Sequence, residues 1–131
     1  MSDFSKLHVW RKAHALALNV LRVATGIRRT ELVSLRNQMI RAAMSVPANI
    51  VEGRGQISER EFCRFLRYAL NSCSELEYHI VIARDIGAIR ANDAAALRDQ
   101  VIEVRKMLHG LDKTVSKRGS PRSPTGNVPT R

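Results

Sequence analysis

The sequence is poor in aromatic residues, which make up 5% of its 131 positions. A sheet core draws on aromatic and β-branched side chains. An apolar content of 44%, mostly Ala, Leu, Val and Ile, points instead to closely packed helices and suffices for one folded domain. Proline is scarce where it would hurt a helix, since only Pro47 of the four precedes residue 120. No apolar run approaches the ~20 residues of a membrane span, and no leader of charged then apolar residues opens the chain. A cytoplasmic protein with no membrane role is the expectation. The two cysteines, Cys63 and Cys73, would stand about 15 Å apart on one helix, beyond disulfide reach. They suit small buried hydrophobes in a reducing compartment.

Metal and catalytic motifs are missing as well. His8 and His14 lack the i, i+4 spacing of helical ligands, and His79 and His109 have no carboxylate–histidine motif around them. Gly53-Arg54-Gly55 lacks the Lys and Ser/Thr of a phosphate loop and is better read as a helix stop. The expectation is therefore no enzyme, no cofactor and no metal. Negative charge is the last scarcity: 22 Lys plus Arg face 12 Asp plus Glu, a net charge of +10. Setting aside Lys117, Arg118, Arg122 and Arg131 still leaves 18 cations against 12 acids. Such an excess concerns partners rather than fold, and Arg, the commoner cation here, suits phosphate oxygens.

Four helical patterns fill the chain. In the first, Trp10, Ala13, Ala17, Val20, Leu21 and Ala24 recur at helical spacing up to Thr25-Gly26. A second stripe of Val9, Leu16 and Val23 runs beside it and predicts a further contact surface, hence self-association. The second pattern runs Leu32, Leu35, Met39, Ala42, Val46 and Asn49. Pro47 lies inside it, predicting a kink rather than a stop, with Ser45, Asn49 and Glu52 supplying acceptors to backbone groups the kink frees. Ser58-Glu59-Arg60-Glu61 forms a reciprocal capping box for the third helix. Phe62, Leu66, Ala69, Cys73, Leu76, Ile80 and Ala83 follow in four-three alternation until Gly87. Asp93 caps the fourth, with Ala94, Leu97, Val101, Val104, Leu108, Leu111 and Val115 repeating that alternation. Seven-residue periodicity with short loops predicts an all-α, antiparallel, up-down four-helix bundle over 1–115. The Ser-, Pro-, Gly- and Arg-rich stretch 116–131 is expected to be a disordered basic tail.

If the second and third helices pair about the turn 54–58, Arg41 falls opposite Ser72, within a turn of Glu75. A partly buried Arg41–Glu75 pair is then expected to fix register, and Arg41, Ser45, Asn49, Glu52 and Glu75 form a structural polar network. For nucleic acid the candidates are Arg11 and Lys12 (with Arg22, Arg28 and Arg29 beyond them), then Arg60, Arg64 and Arg67, then Lys117, Arg118 and Arg122. Arg60, Arg64 and Arg67 share one helical face. An ordinary solvated face, with Arg60 and Arg64 partnered by nearby Glu, fits the same spacing. Tyr68 and Tyr78 are too sparse to imply base stacking, so binding should be backbone-driven and sequence-tolerant.

Phe4, Leu7 and Val9-Trp10-Arg11-Lys12-Ala13, then the block from Gln38 to Gly53 (QMIRAAMSVPANIVEG), then Phe62, Phe65-Leu66, Ala69, Ser72 and Glu75-Leu76-Glu77 resemble the 23S rRNA intervening-sequence protein family. The resemblance covers roughly residues 4–90, with Val51 where the family usually has Ala and Asn71 where a small residue is common. It implies a four-helix bundle assembled as a ring-like homopentamer, without enzymatic activity. The same fold group includes accessory variability proteins of diversity-generating retroelements, basic pentamers that bind nucleic acid and a reverse transcriptase. The resulting expectation is a homo-oligomeric, nucleic-acid-binding adaptor, with a reverse transcriptase as a candidate partner. The alternative is a structural oligomer that binds another protein.

Overall fold

The computed structural model describes residues 7–119. Four α-helices follow one another: α1 (His8–Ala24), α2 (Val33–Arg54), α3 (Glu59–Asp85) and α4 (Ala91–Gly119), with one 3-10 turn at Thr30–Leu32. Each helix packs on its neighbours in sequence, and α4 closes back on α1, while the diagonal pairs do not meet. This is the expected up-down bundle. The α3 and α4 stripes are legible without error in α3 and nearly so in α4. Phe62, Leu66, Ala69, Cys73, Leu76, Ile80 and Ala83 are all buried, as are Ala94, Leu97, Val101, Val104, Leu108 and Val115, with Leu111 packed at the edge of the core. Each large aliphatic side chain so buried contributes about 1.5–3 kcal/mol.

Helix ends follow local chemistry. The Ser58 hydroxyl accepts from the Glu61 backbone N–H at 3.0 Å. The box is not reciprocal, however, because the Glu61 carboxylate turns to Arg64 at 2.7 Å. At the far end of α3, Gly87 adopts φ +73°. The Ala88 N–H then reaches the Ala83 carbonyl at 2.8 Å and the Gly87 N–H reaches that of Arg84 at 3.1 Å, closing a Schellman turn that favours glycine. Asp93 is not a cap: α4 has already begun at Ala91, and Asp93 sits in its first turn, 3.5 Å from Arg90. Nor does α4 end at Val115, since Ser116, Lys117 and Arg118 continue the helix to Gly119. The rest of the expected tail lies outside the described residues.

In α1 the expected residues Ala13, Ala17, Val20 and Ala24 are buried and Trp10 packs against the core, but the inward face is wider than the first stripe. Val9 and Leu16 are buried and Val23 packs at the core's edge, whereas Leu21 is 40% exposed. The stripe read as a spare contact surface thus belongs to the core. Two apolar stripes run side by side on this helix, and both contribute to the core, with Leu21 alone of the first stripe turned out. Leu18 and Leu21 are the large apolar side chains that α1 turns outward.

Helix α2 passes through buried Pro47 without interruption to Arg54. Pro47 has no N–H to offer the Ala43 carbonyl, so a freed group here is an acceptor and needs donors. The nearby polar side chains are donors: Ser45 Oγ gives its hydrogen toward the Ala42 carbonyl at 2.9 Å, and Asn49 Nδ2 donates to the Ser45 carbonyl at 2.8 Å. The expectation had them as acceptors, the wrong polarity. Glu52 is exposed and takes no part through its side chain; its carbonyl accepts from Gln56 Nε2 at 2.9 Å.

Candidate nucleic-acid interface

Antiparallel packing of α3 on α4 puts the first turns of α3 beside the last turns of α4. Arg118 reaches Glu59 at 3.3 Å and Arg67 reaches Asp112 at 3.4 Å. Two groups of cations far apart in sequence, Arg60-Arg64-Arg67 and Lys117-Arg118, are thereby gathered at one end of the bundle. Their states differ. Arg60 and Lys117 are exposed and make no ion pair among the described residues. Arg64, Arg67 and Arg118 each hold one acid while remaining 56%, 62% and 50% exposed. Exposed bridges such as those of Arg64 and Arg118 contribute about 0–1 kcal/mol each, and the Asp112 end of the Arg67 bridge is more enclosed, at 18% exposed. Arg64 is partnered by Glu61, as a solvated face would have it, whereas Arg60 makes no ion pair with a neighbouring Glu. Arg64 also lies 5.5 Å from the Phe65 ring centroid and 5.8 Å from that of Tyr68.

Other candidates lie elsewhere. Lys12 meets Glu103 at 3.4 Å, and Glu103 stands about 22 Å along α4 from Arg118 at 1.5 Å per residue. Arg11, beside Lys12 and exposed, shares that distant position. Arg29 is paired with Glu31 at 2.9 Å, and Arg22 bonds Asn19; Arg22, Arg28 and Arg29 occupy the other end of the molecule. Arg122 lies outside the described residues.

The expected polar network holds only in part. Ser45 Oγ, not Arg41, faces Ser72, at 2.5 Å between hydroxyl oxygens. The helices pair one turn away from the expected register, and Arg41 is left exposed with no ion pair to Glu75. Glu75 instead stands 3.7 Å from Nε2 of His79, a partner one turn along its own helix that the sequence reading passed over. Arg41 joins Asn37, Ile40, Met44, Ser45 and Ala48 in lining a shallow, mostly apolar groove on α2.

One polar cluster was missed. Glu77 pairs with Arg98 at 3.2 Å and with Arg105 more closely still, tying α3 to α4 at two heights. The Arg105 hydrogen bond is the chief cause holding the Glu77 carboxyl below the ordinary carboxylate range. Nearby, burial pushes the Cys73 thiol up to about 12, against an opposing pull from Arg105. It stays protonated and unreactive. Both cysteines are free and buried. A carboxylate followed by Arg at two later positions has no recognisable spacing across a loop, so only the register of α4 reveals it.

The family model described as 23S rRNA-intervening sequence protein matches residues 5–110. The fold is similar to a crystal structure from Bacteroides thetaiotaomicron, described as a protein with unknown function from the S23 ribosomal protein family. The two share 22% identity at a TM-score of 0.76, over 80% of this chain and 98% of that one. No curated protein matches the chain.

Proposed function

Because the chain belongs to the 23S rRNA-intervening sequence protein family, we propose that it acts as a non-catalytic, self-assembling adaptor that docks on nucleic-acid backbone where α3 begins and α4 ends. The observation that carries this reading is the gathering of Arg60, Arg64, Arg67, Lys117 and Arg118 at one end of a chain of net charge +10. Among the described residues Arg60 and Lys117 make no ion pair, and Arg64, Arg67 and Arg118 each hold one acid while at least half exposed. Contacts of this kind read charge rather than sequence. Titrating salt against binding to duplex DNA and to RNA tests it. Affinity should fall steeply, with a logarithmic slope of about 0.9 per phosphate contact on duplex DNA. Salt-independent binding, or none, contradicts the proposal.

Self-association is supported by the α2 groove, where Ile40, Met44 and Ala48 line apolar surface and Met44 is 55% exposed. The closed ring of identical subunits that the family resemblance implies would give about five chain masses by light scattering; a monomer contradicts it. The same groove favours the second reading, an oligomer whose partner is another protein. A reverse transcriptase as that partner rests on the family resemblance alone.

A further inference from the structure

The exposed side chains of α3 fall into an ordered stripe. At 3.6 residues per turn, Arg60, Arg64, Tyr68, Asn71, Glu75 and Tyr78 share one outward face, and all are exposed. Tyr68 is 42% exposed, and its ring is held before any ligand arrives. Phe65 meets it edge-to-face with centroids 5.4 Å apart, and the Arg64 guanidinium lies 5.8 Å from its centroid. Pre-orienting a contact group removes part of the ordering cost of binding. One aromatic in sequence implies little, but a fixed and open ring beside three arginines is a different object.

Duplex and single strand would use this stripe unequally. A duplex hides its base planes in the stack and offers the protein phosphates. A single strand offers phosphates and unpaired bases together, and any base can stack on an aromatic ring. We propose that the α3 stripe prefers single-stranded nucleic acid, with Arg60, Arg64 and Arg67 taking phosphates while an unpaired base stacks on Tyr68. This rests on the nucleic-acid reading above. Tyr78, although 64% exposed, is not a second platform. Glu75 lies one turn before it on the same face and repels the strand's phosphates, so the track ends near Tyr68.

The test measures binding of a labelled oligouridylate and of an RNA duplex of equal length at one salt concentration. Four full-length proteins are compared: the natural chain, Tyr68→Ala, Tyr68→Phe and Tyr78→Ala. The natural chain should bind the single strand more tightly. Tyr68→Ala should lose about tenfold or more on the single strand and stay within about twofold on the duplex. Tyr68→Phe, which keeps the ring, and Tyr78→Ala should match the natural chain. If Tyr68→Ala binds the single strand undiminished while duplex binding keeps its salt dependence, this inference fails and the broader reading stands. If the natural chain binds neither, both fall. A drop in solution mass for Tyr68→Ala would place the ring in a protein interface and overturn the inference.

Discussion

The α2–α3 seam and the seams around α4 are built on opposite plans. Between α2 and α3 the backbones approach closely and no ion pair joins them among the described residues, the charged group on the seam being the Arg54 guanidinium, 5.9 Å from the Phe62 ring centroid. Gly53 lies so close to α3 that a Cβ there would fall 2.8 Å from the Phe65 Cβ and 2.9 Å from the Phe62 ring, and farther up Ser45 meets Ser72. Helix α4 is held by long polar side chains: Glu77 to Arg98 and Arg105, Arg67 to Asp112, Arg118 to Glu59, Lys12 to Glu103, and Asn19 to Gln100 at 3.0 Å. Where backbones approach closely, fit depends on missing volume, and an added methyl is felt at once. Long charged side chains span a wider gap and adjust, so no single pair around α4 should matter as much.

Glycine substitution breaks the comparison most directly. Gly53→Ala should destabilise the fold by about 1–3 kcal/mol from overpacking, even though Ala is the better helix former. Gly110→Ala in α4, where the added Cβ would meet nothing within 4 Å beyond its own helical backbone and chain neighbours, should change stability by about 0.5–1 kcal/mol in the opposite direction. Denaturant midpoints of the two variants read the signs, and equal signs would show that close approach does not govern the α2–α3 seam.

The next effect in size is Glu77→Gln, which leaves two cations facing a neutral group. Glu77 is 22% exposed and its partners 35% and 27%, so the loss should be about 1–2 kcal/mol, below that of a fully buried pair. The sign with pH follows from the lowered carboxyl. Its contribution is complete above the ordinary carboxylate range and disappears as pH falls through its depressed value. Acid unfolding followed by circular dichroism should therefore show a shallower acid limb in Glu77→Gln than in the natural chain.

Smallest of the three is Ser72→Ala. It should cost under about 1 kcal/mol, because Ser45 Oγ keeps the Ala42 carbonyl as acceptor. Replacing both serines by Ala should be nearly neutral. A loss above about 2 kcal/mol would give the hydroxyl pair a larger share in the seam than its neighbours indicate.

What the sequence made legible follows the same division. Four-three spacing is a one-dimensional signal, so the α3 and α4 core stripes, the Ser58 cap and the Gly87 stop stand out without knowledge of any partner. Facing and register are relations between helices. For that reason spacing places Ala13, Ala17, Val20 and Ala24 in the α1 core correctly but does not separate Leu21, which is exposed, from Leu16, which is buried. The Arg41–Glu75 pair, which needed the turn before α3 placed to within one helical turn, was expected where Ser45 and Ser72 meet. Of the candidate site, the arginine row was legible as i, i+4 and i+7 spacing. Its union with Lys117 and Arg118, the partners of Arg64 and Arg67, and the held ring of Tyr68 all depend on side chains meeting across space.

The central claim is that the end of the bundle formed by α3 and α4 binds nucleic-acid phosphates. Salt dependence of duplex binding in the natural chain, in Arg60→Gln and in the triple Arg60→Gln, Arg64→Gln, Arg67→Gln variant tests it most directly. Arg60, which makes no ion pair among the described residues, should take about 0.9 from the slope when replaced. The triple variant should take about two, less than three full contacts, because Arg64 and Arg67 must first release Glu61 and Asp112. A folded triple variant with an unchanged slope would contradict the account and leave the row a solvated face.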